Sequence, residues 1–138
     1  MERIQVSTWV NATLARVWEC WNSPEHVMQW NFAVADWHCP GAYNKFIVGG
    51  EFHYVMASRD GSMEFDFWGT YDQIVPEQLL EITLGDGRKL TVQFAAEGTG
   101  TRVTELFQPE NQNPAEMQQA GWQMILENFK KHTESLPA

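Results

Sequence analysis

The chain has 138 residues, a length suited to one domain that buries its own core without metal or disulfide staples. Its formal net charge of -9, with nine basic residues scattered along it, excludes a phosphate-holding face for nucleic acid or an anionic membrane. With 7 Trp, 8 Phe and 3 Tyr, the rings serve either a large core or the wall of a cavity.

The first stretch, MERIQVSTWV, lacks the long apolar run of a signal peptide, and no segment is long and apolar enough to span a bilayer, so a cytoplasmic protein is expected. Arg3 to Val10 alternates with period two, Ile4, Val6 and Thr8 on one face, and reads as a strand. Leu14, Val17, Trp18 and Trp21 then form one stripe of an amphipathic helix. Ser23-Pro24-Glu25 stops that helix and starts another, with Ser23 as N-cap and Pro24 at the first helical position. Trp18 and Trp21 are expected to plug the gap between these helices and a sheet, and Trp30 to stand at a pocket rim. Asn31 to Asn44 has no clear period and is expected to be an irregular strand and loop, with Trp37 as cover.

From Phe46 to Gln108 the pattern is an antiparallel meander whose turns set its registers. A two-residue turn at Asp60-Gly61 places Met56 opposite Phe65, Tyr54 opposite Phe67 and Phe52 opposite Gly69, an aromatic inner wall. Val55 with Asp66 and Ala57 with Glu64 fall on the wet face, which also takes His53 and Trp68. Trp68 there is either a partner contact or a ring packed under a neighbouring loop. A three-residue turn, Gly85-Asp86-Gly87, pairs Ile82 with Leu90 and Leu80 with Val92. A Gly98-Thr99 turn pairs Phe94 with Val103, Val92 with Glu105 and Leu90 with Phe107.

Glu105 is the one charged member of this inward set. Among Val92, Phe94 and Phe107 its pKa would rise by desolvation, fitting it as acid, base or ligand anchor; the plainer alternative is a slipped register or a wet strand end. The last segment opens with Asn113 as N-cap, Pro114 at the first helical position and Glu116 at the third, and should run to about Ser135, roughly 33 Å. Met117, Gly121, Ile125 and Phe129 form one line along it, with Trp122 beside them. Strand, two short helices, a meander and a long terminal helix make an α+β design.

The segments ATLARVWECWNSPEHVMQW, VGGEFHYVMASRDGSMEFDFWGTYDQIVPEQLLEIT, GTRVTELF and AGWQMILENFKKHTES, in this order, resemble the START-like (SRPBCC, helix-grip) superfamily. The resemblance is to its branch similar to the C-terminal domain of the heat-shock-protein-90 ATPase activator, and it covers nearly the whole chain, 1–138, as a single domain. It implies a curved antiparallel sheet wrapped around a long C-terminal helix, enclosing a deep cavity for hydrophobic small molecules. The sheet wall of that cavity would be Phe52, Tyr54, Met56, Phe65 and Phe67, with Met117 and Trp122 looking down from the helix. Trp30, Phe94 and Glu105 complete the candidate ligand-binding set. Thr13 stands where the family usually has a proline, and threonine can cap a helix. The activator it resembles has a second domain that grips the chaperone; this chain carries only the one, which weighs against chaperone activation.

No recognised metal spacing is present. Asp36, His38, Cys39, Glu51 and His53 would have to converge from a loop and a strand, so neither metal nor cofactor is expected. Cys20 and Cys39 suggest no disulfide framework. No Gly-Xaa-Ser-Xaa-Gly elbow occurs, and Gly49-Gly50 precedes a strand, where it would let the strand bend. The expected function is binding of a hydrophobic or amphipathic small molecule, oriented by Tyr54 and Glu105. A cyclase- or aromatase-like enzyme acting on such a ligand is the alternative, followed by a chaperone-associated interaction protein or a homodimer.

Overall fold

Turns fold the chain back on itself five times between Trp37 and Phe107, and the result, in a computed structural model describing residues 3–137, is one antiparallel sheet of seven strands completed by the first strand. In chain order the elements are β1 (Ile4–Val10), α1 (Leu14–Asn22), α2 (Pro24–Trp30), β2 (Trp37–Asn44), β3 (Glu51–Ser58) and β4 (Glu64–Val75). Then follow β5 (Leu79–Leu84), β6 (Lys89–Glu97), β7 (Gly100–Phe107) and α3 (Ala115–Ser135). The strand order β1-β7-β6-β5-β4-β3-β2 makes β1 and β2 the edges, and the sheet curls as a half-barrel around α3. The fold is α+β, as the residue pattern implies.

Each register set by turn chemistry is found: Tyr54 opposite Phe67, Leu80 opposite Val92, and Val92 opposite Glu105. The 59–62 turn differs in form. Pairing ends where the Ser58 N–H donates to the Met63 carbonyl at 2.9 Å, so four residues loop out instead of two. Asp60 holds that loop, its carboxylate accepting from the Ser62 N–H at 2.9 Å and the Ser58 hydroxyl at 2.8 Å. The loop adds one residue on each side, and parity keeps the aromatic wall inward.

Asn31 to Asn44 is more regular than its sequence suggests. β2 pairs with β3 throughout, broken by a bulge between His38 and Gly41 that contains Pro40. A proline with no N–H is tolerated there because β2 is an edge strand. Gly49-Gly50 lies in the turn before β3: Gly49 has φ 84°, and a Cβ on Gly50 would sit 2.1 Å from the Lys45 carbonyl oxygen.

The helices follow their start signals, with one shift. The Thr13 hydroxyl accepts from the Arg16 N–H at 3.2 Å and caps α1. α2 starts at Pro24 after Ser23. α3 begins at Ala115 with Pro114 as its cap, one residue later than the Asn113 cap expected, because Asn113 is tied back to the Glu110 carboxylate at 2.7 Å. The face of α3 is also turned. Gln118, Leu126, Phe129 and Thr133 are buried, flanked by Trp122 and Ile125, whereas Met117 is 60% exposed. The helix packs on β1 at one side and on α1 and α2 at its end.

Candidate functional site

Between the inner face of the sheet and α3 lies a cavity of about 290 Å³. Alternation on β3 and β4 aims Phe52, Tyr54, Met56 and Phe67 into it, with Leu80, Ile82, Leu90 and Val92 continuing the wall. Trp122 of α3 forms the opposite side, stacked on Phe107 with ring centres 3.8 Å apart. Trp21 and Trp30 close the far end, 5.0 Å apart and both edge-on to Phe129. The Trp30 indole N–H donates to the Cys20 carbonyl at 3.0 Å, so this ring is fixed and its polar atom satisfied. Half-exposed Phe65, with Arg88, Glu110 and Gln118, lines the cavity where it meets solvent.

Away from that opening, Glu105, the Tyr54–Tyr71 pair and Asn31 bring polar atoms to this apolar space. Glu105, between Val6 of β1 and Val92 of β6, is 6% exposed. Burial alone pushes its carboxyl up to about 8, with no neighbouring charge or hydrogen bond contributing, so at neutral pH the group is mostly a neutral acid. Tyr54 lies against Tyr71, whose hydroxyl donates to Asn44 Oδ1 at 2.9 Å; Asn44 Nδ2 donates in turn to the Asn22 carbonyl at 2.8 Å. Desolvation raises both phenols, Tyr71 to about 12, so the relay stays neutral. The third group is Asn31, whose Nδ2 is buried without a partner; it leans on the Cys39 thiol without forming a well-made bond. Unpaired buried donors are costly, and a cavity that holds them beside an unpaired acid is chemically unfinished.

Of the ten residues singled out from sequence, eight line this space: Trp30, Phe52, Tyr54, Met56, Phe65, Phe67, Glu105 and Trp122. Trp30 sits deep at 3% exposure and not at a rim. Met117 and Phe94 do not line it. Met117 points to solvent because α3 is rotated from the expected line. Phe94 is buried behind the wall, 5.1 Å from Trp18 and 5.8 Å from Trp21, where it receives α1. Trp21 and Asn31 line the cavity and carried only a packing signal, or none, in the sequence, whereas Tyr71 continues the inward face that the strand alternation implies.

Polar side chains also cluster outside the cavity. His53 is on the outer face, as its register implies, between Asp66 at 2.7 Å and Glu51 at 2.8 Å, hydrogen bonds that raise its pKa. Trp68 stacks on His53 at 5.3 Å and 9°, and a Cβ on Gly85 would meet its indole nitrogen at 2.3 Å. The packed-ring alternative therefore holds for Trp68. Among the described residues, the side chains that converge as metal donors are Cys20, His26 and His132, not the set drawn from 36–53.

A curled antiparallel sheet gripping a long C-terminal helix, with two short helices after the first strand, places the chain in the START-like (SRPBCC) superfamily. Within it the chain belongs to the family described as Activator of Hsp90 ATPase homolog 1-like protein, matched over residues 11–134. An AHSA1-like protein from Aeromonas hydrophila, solved in solution, is 41% identical with TM-score 0.91, over 96% of this chain and 92% of that one. Chr148 from Cytophaga hutchinsonii is 48% identical with TM-score 0.83, over the same shares of 96% and 92%. A protein from Chromobacterium violaceum, 19% identical over 99% of this chain and 100% of that one, shares the fold at TM-score 0.86. No curated protein matches the chain.

Proposed function

We propose that the chain binds a small, mainly apolar molecule between the sheet and α3, and that the ligand carries a hydrogen-bond acceptor for Glu105. The observation behind this reading is the unpaired, neutral Glu105 carboxyl in the wall of a 290 Å³ cavity lined mostly by rings and aliphatic chains. That volume suits a ligand of one or two rings. Removing about 150 Å² of ligand apolar surface from water would contribute about 4 kcal/mol. Asn31 Nδ2 offers a second donor, and the Tyr54 hydroxyl a further polar group in the wall. Met56 lets the wall adapt to ligand shape.

A second reading, an enzyme of cyclase type acting on such a ligand, gains from the same carboxyl, since an acid with a pKa near 8 is poised to move protons at neutral pH. The chaperone-associated reading rests on the family's name. The Trp68 face, which would have favoured a protein partner, is covered by His53 and the Gly85 turn. No helix among the described residues is long and apolar enough to cross a membrane.

Native mass spectrometry of the purified protein tests the binding reading. The expected result is a small adduct released on denaturation and weakened by Trp122→Ala. An apo mass, together with no tryptophan fluorescence response to a library of small aromatic and aliphatic carbonyl compounds, would overturn it. Retained binding with lost turnover in Glu105→Gln would favour the enzyme.

A further inference from the structure

We propose that Cys20, His26 and His132 form a binding site for one zinc-class divalent ion that ties the three helices together. Cys20 is in the last turn of α1, His26 in the first turn of α2, and His132 in the last turn of α3. One donor atom from each lies within 4.8 Å of the other two, and His26 Nδ1 is 2.9 Å from His132 Nε2. A tetrahedral zinc ion needs its nitrogens about 3.3 Å apart and nitrogen to sulfur about 3.5 Å.

The donors are the right kind. Two imidazoles and a thiolate favour zinc over the hard, oxygen-seeking cations, and three protein ligands leave a fourth position for water. The thiol is fully buried, while both imidazoles are half-buried, so an ion has a route in from solvent. An independent observation is Thr133, 2% exposed, whose hydroxyl has no well-formed partner although it lies against the Cys20 thiol. A thiolate would take that proton as a full hydrogen bond, and such outer support tunes metal affinity. Arg16 and Glu19 carry opposite charges and act on Cys20 in opposite directions. Binding would expel the thiol proton to water, form one metal–sulfur and two metal–nitrogen bonds, and change no oxidation state.

The position matters for the cavity. Trp30, at the closed end, is held by the Cys20 carbonyl, so an ion at Cys20 would brace the wall that Trp30 provides.

The test is a titration of the full chain, stripped with a chelator, with cobalt(II) as a probe visible by absorbance. Expected are a thiolate-to-cobalt charge-transfer band saturating at one equivalent, and its loss when zinc is added. Cys20→Ser should abolish the band, and His132→Gln, at a half-buried and more tolerant position, should weaken binding at least tenfold. Thr133→Val should weaken it about tenfold. Cys39→Ser and His53→Ala should leave it unchanged. No band with the wild-type chain, a band surviving Cys20→Ser, an unchanged cobalt affinity in His132→Gln, or a band lost with Cys39→Ser or His53→Ala, would overturn the proposal.

Discussion

Replacing Glu105 by glutamine removes a proton-binding group from the core while keeping its shape. In the unfolded chain the carboxyl returns to its ordinary value of 4.5, whereas in the fold burial holds it at about 8. Between those values the unfolded chain has released the proton and the fold still keeps it, so stability falls as pH rises. Above about 8 both states are ionised and the loss is complete. Linkage gives a loss of about 1 kcal/mol at pH 5, about 3 kcal/mol at pH 7 and about 4.5 kcal/mol at pH 8.5. Glutamine does not titrate, so Glu105→Gln, if matched to the wild type at pH 5, should exceed it by about 3.5 kcal/mol at pH 8.5. With a urea slope of about 2 kcal/mol per M, that is a midpoint difference of about 2 M. Urea unfolding of both proteins at the two pH values is the assay, and other titrating groups cancel between them. If the two midpoints move in parallel from pH 5 to pH 8.5, Glu105 is not buried as a neutral acid, and the reasoning fails.

Gly85→Ala should destabilise by about 1–3 kcal/mol, because the new methyl meets the Trp68 indole at 2.3 Å; thermal unfolding should show most of that loss disappear in a Trp68→Leu background. His53 should titrate above its ordinary 6.5 by NMR, since its partners Asp66 and Glu51 favour the charged ring, and Asp66→Asn should bring it back towards that value. The sign follows: its support for the fold is full below 6.5 and fades as pH rises through the raised value.

The sheet was readable because its turns and its faces carry separate signals that must agree. Glycine turns fix which residues face each other, and a one-residue slip would have thrown Phe52, Tyr54 and Phe67 outward. That agreement also located Glu105, whose register is the observed one. The face of α3 was not readable, because counting apolar residues assumes that polar ones point away. Gln118 breaks the assumption: it is buried with its amide satisfied locally, donating to the Glu110 and Asn113 carbonyls at 3.1 and 2.8 Å and accepting from the Glu110 N–H at 2.9 Å. That anchor fixes the helix rotation and turns Met117 out. Trp21 and Phe94 exchanged expected roles for a similar reason, since the docking angle of α1 decides which ring reaches the cavity. Cys20, His26 and His132 meet only because α3 crosses the short helices at its far end. His26 and His132 are 106 residues apart, and no local spacing reports their contact.

The pH dependence of binding then separates ligand classes that one static cavity admits equally. A neutral ligand with a carbonyl or hydroxyl acceptor takes its hydrogen bond from protonated Glu105. Its affinity should hold up to about pH 7 and weaken above about 8, by up to about tenfold per pH unit where only the protonated form binds. A cationic amine would instead pull the proton off Glu105, pair with the carboxylate, and bind more tightly as pH rises until the amine itself loses its charge. Asn31 Nδ2, a second unpaired donor in the same space, favours the first case, because an ammonium group would leave it unsatisfied. The comparison is a neutral aromatic ketone against an aromatic amine of equal size, titrated by the fluorescence of Trp21 and Trp30 at pH 6 and pH 9. The ketone should bind better at pH 6, and Glu105→Gln should flatten its pH profile without abolishing binding. A ketone affinity that does not change between the two pH values in the wild type would show that the carboxyl takes no part in holding the ligand.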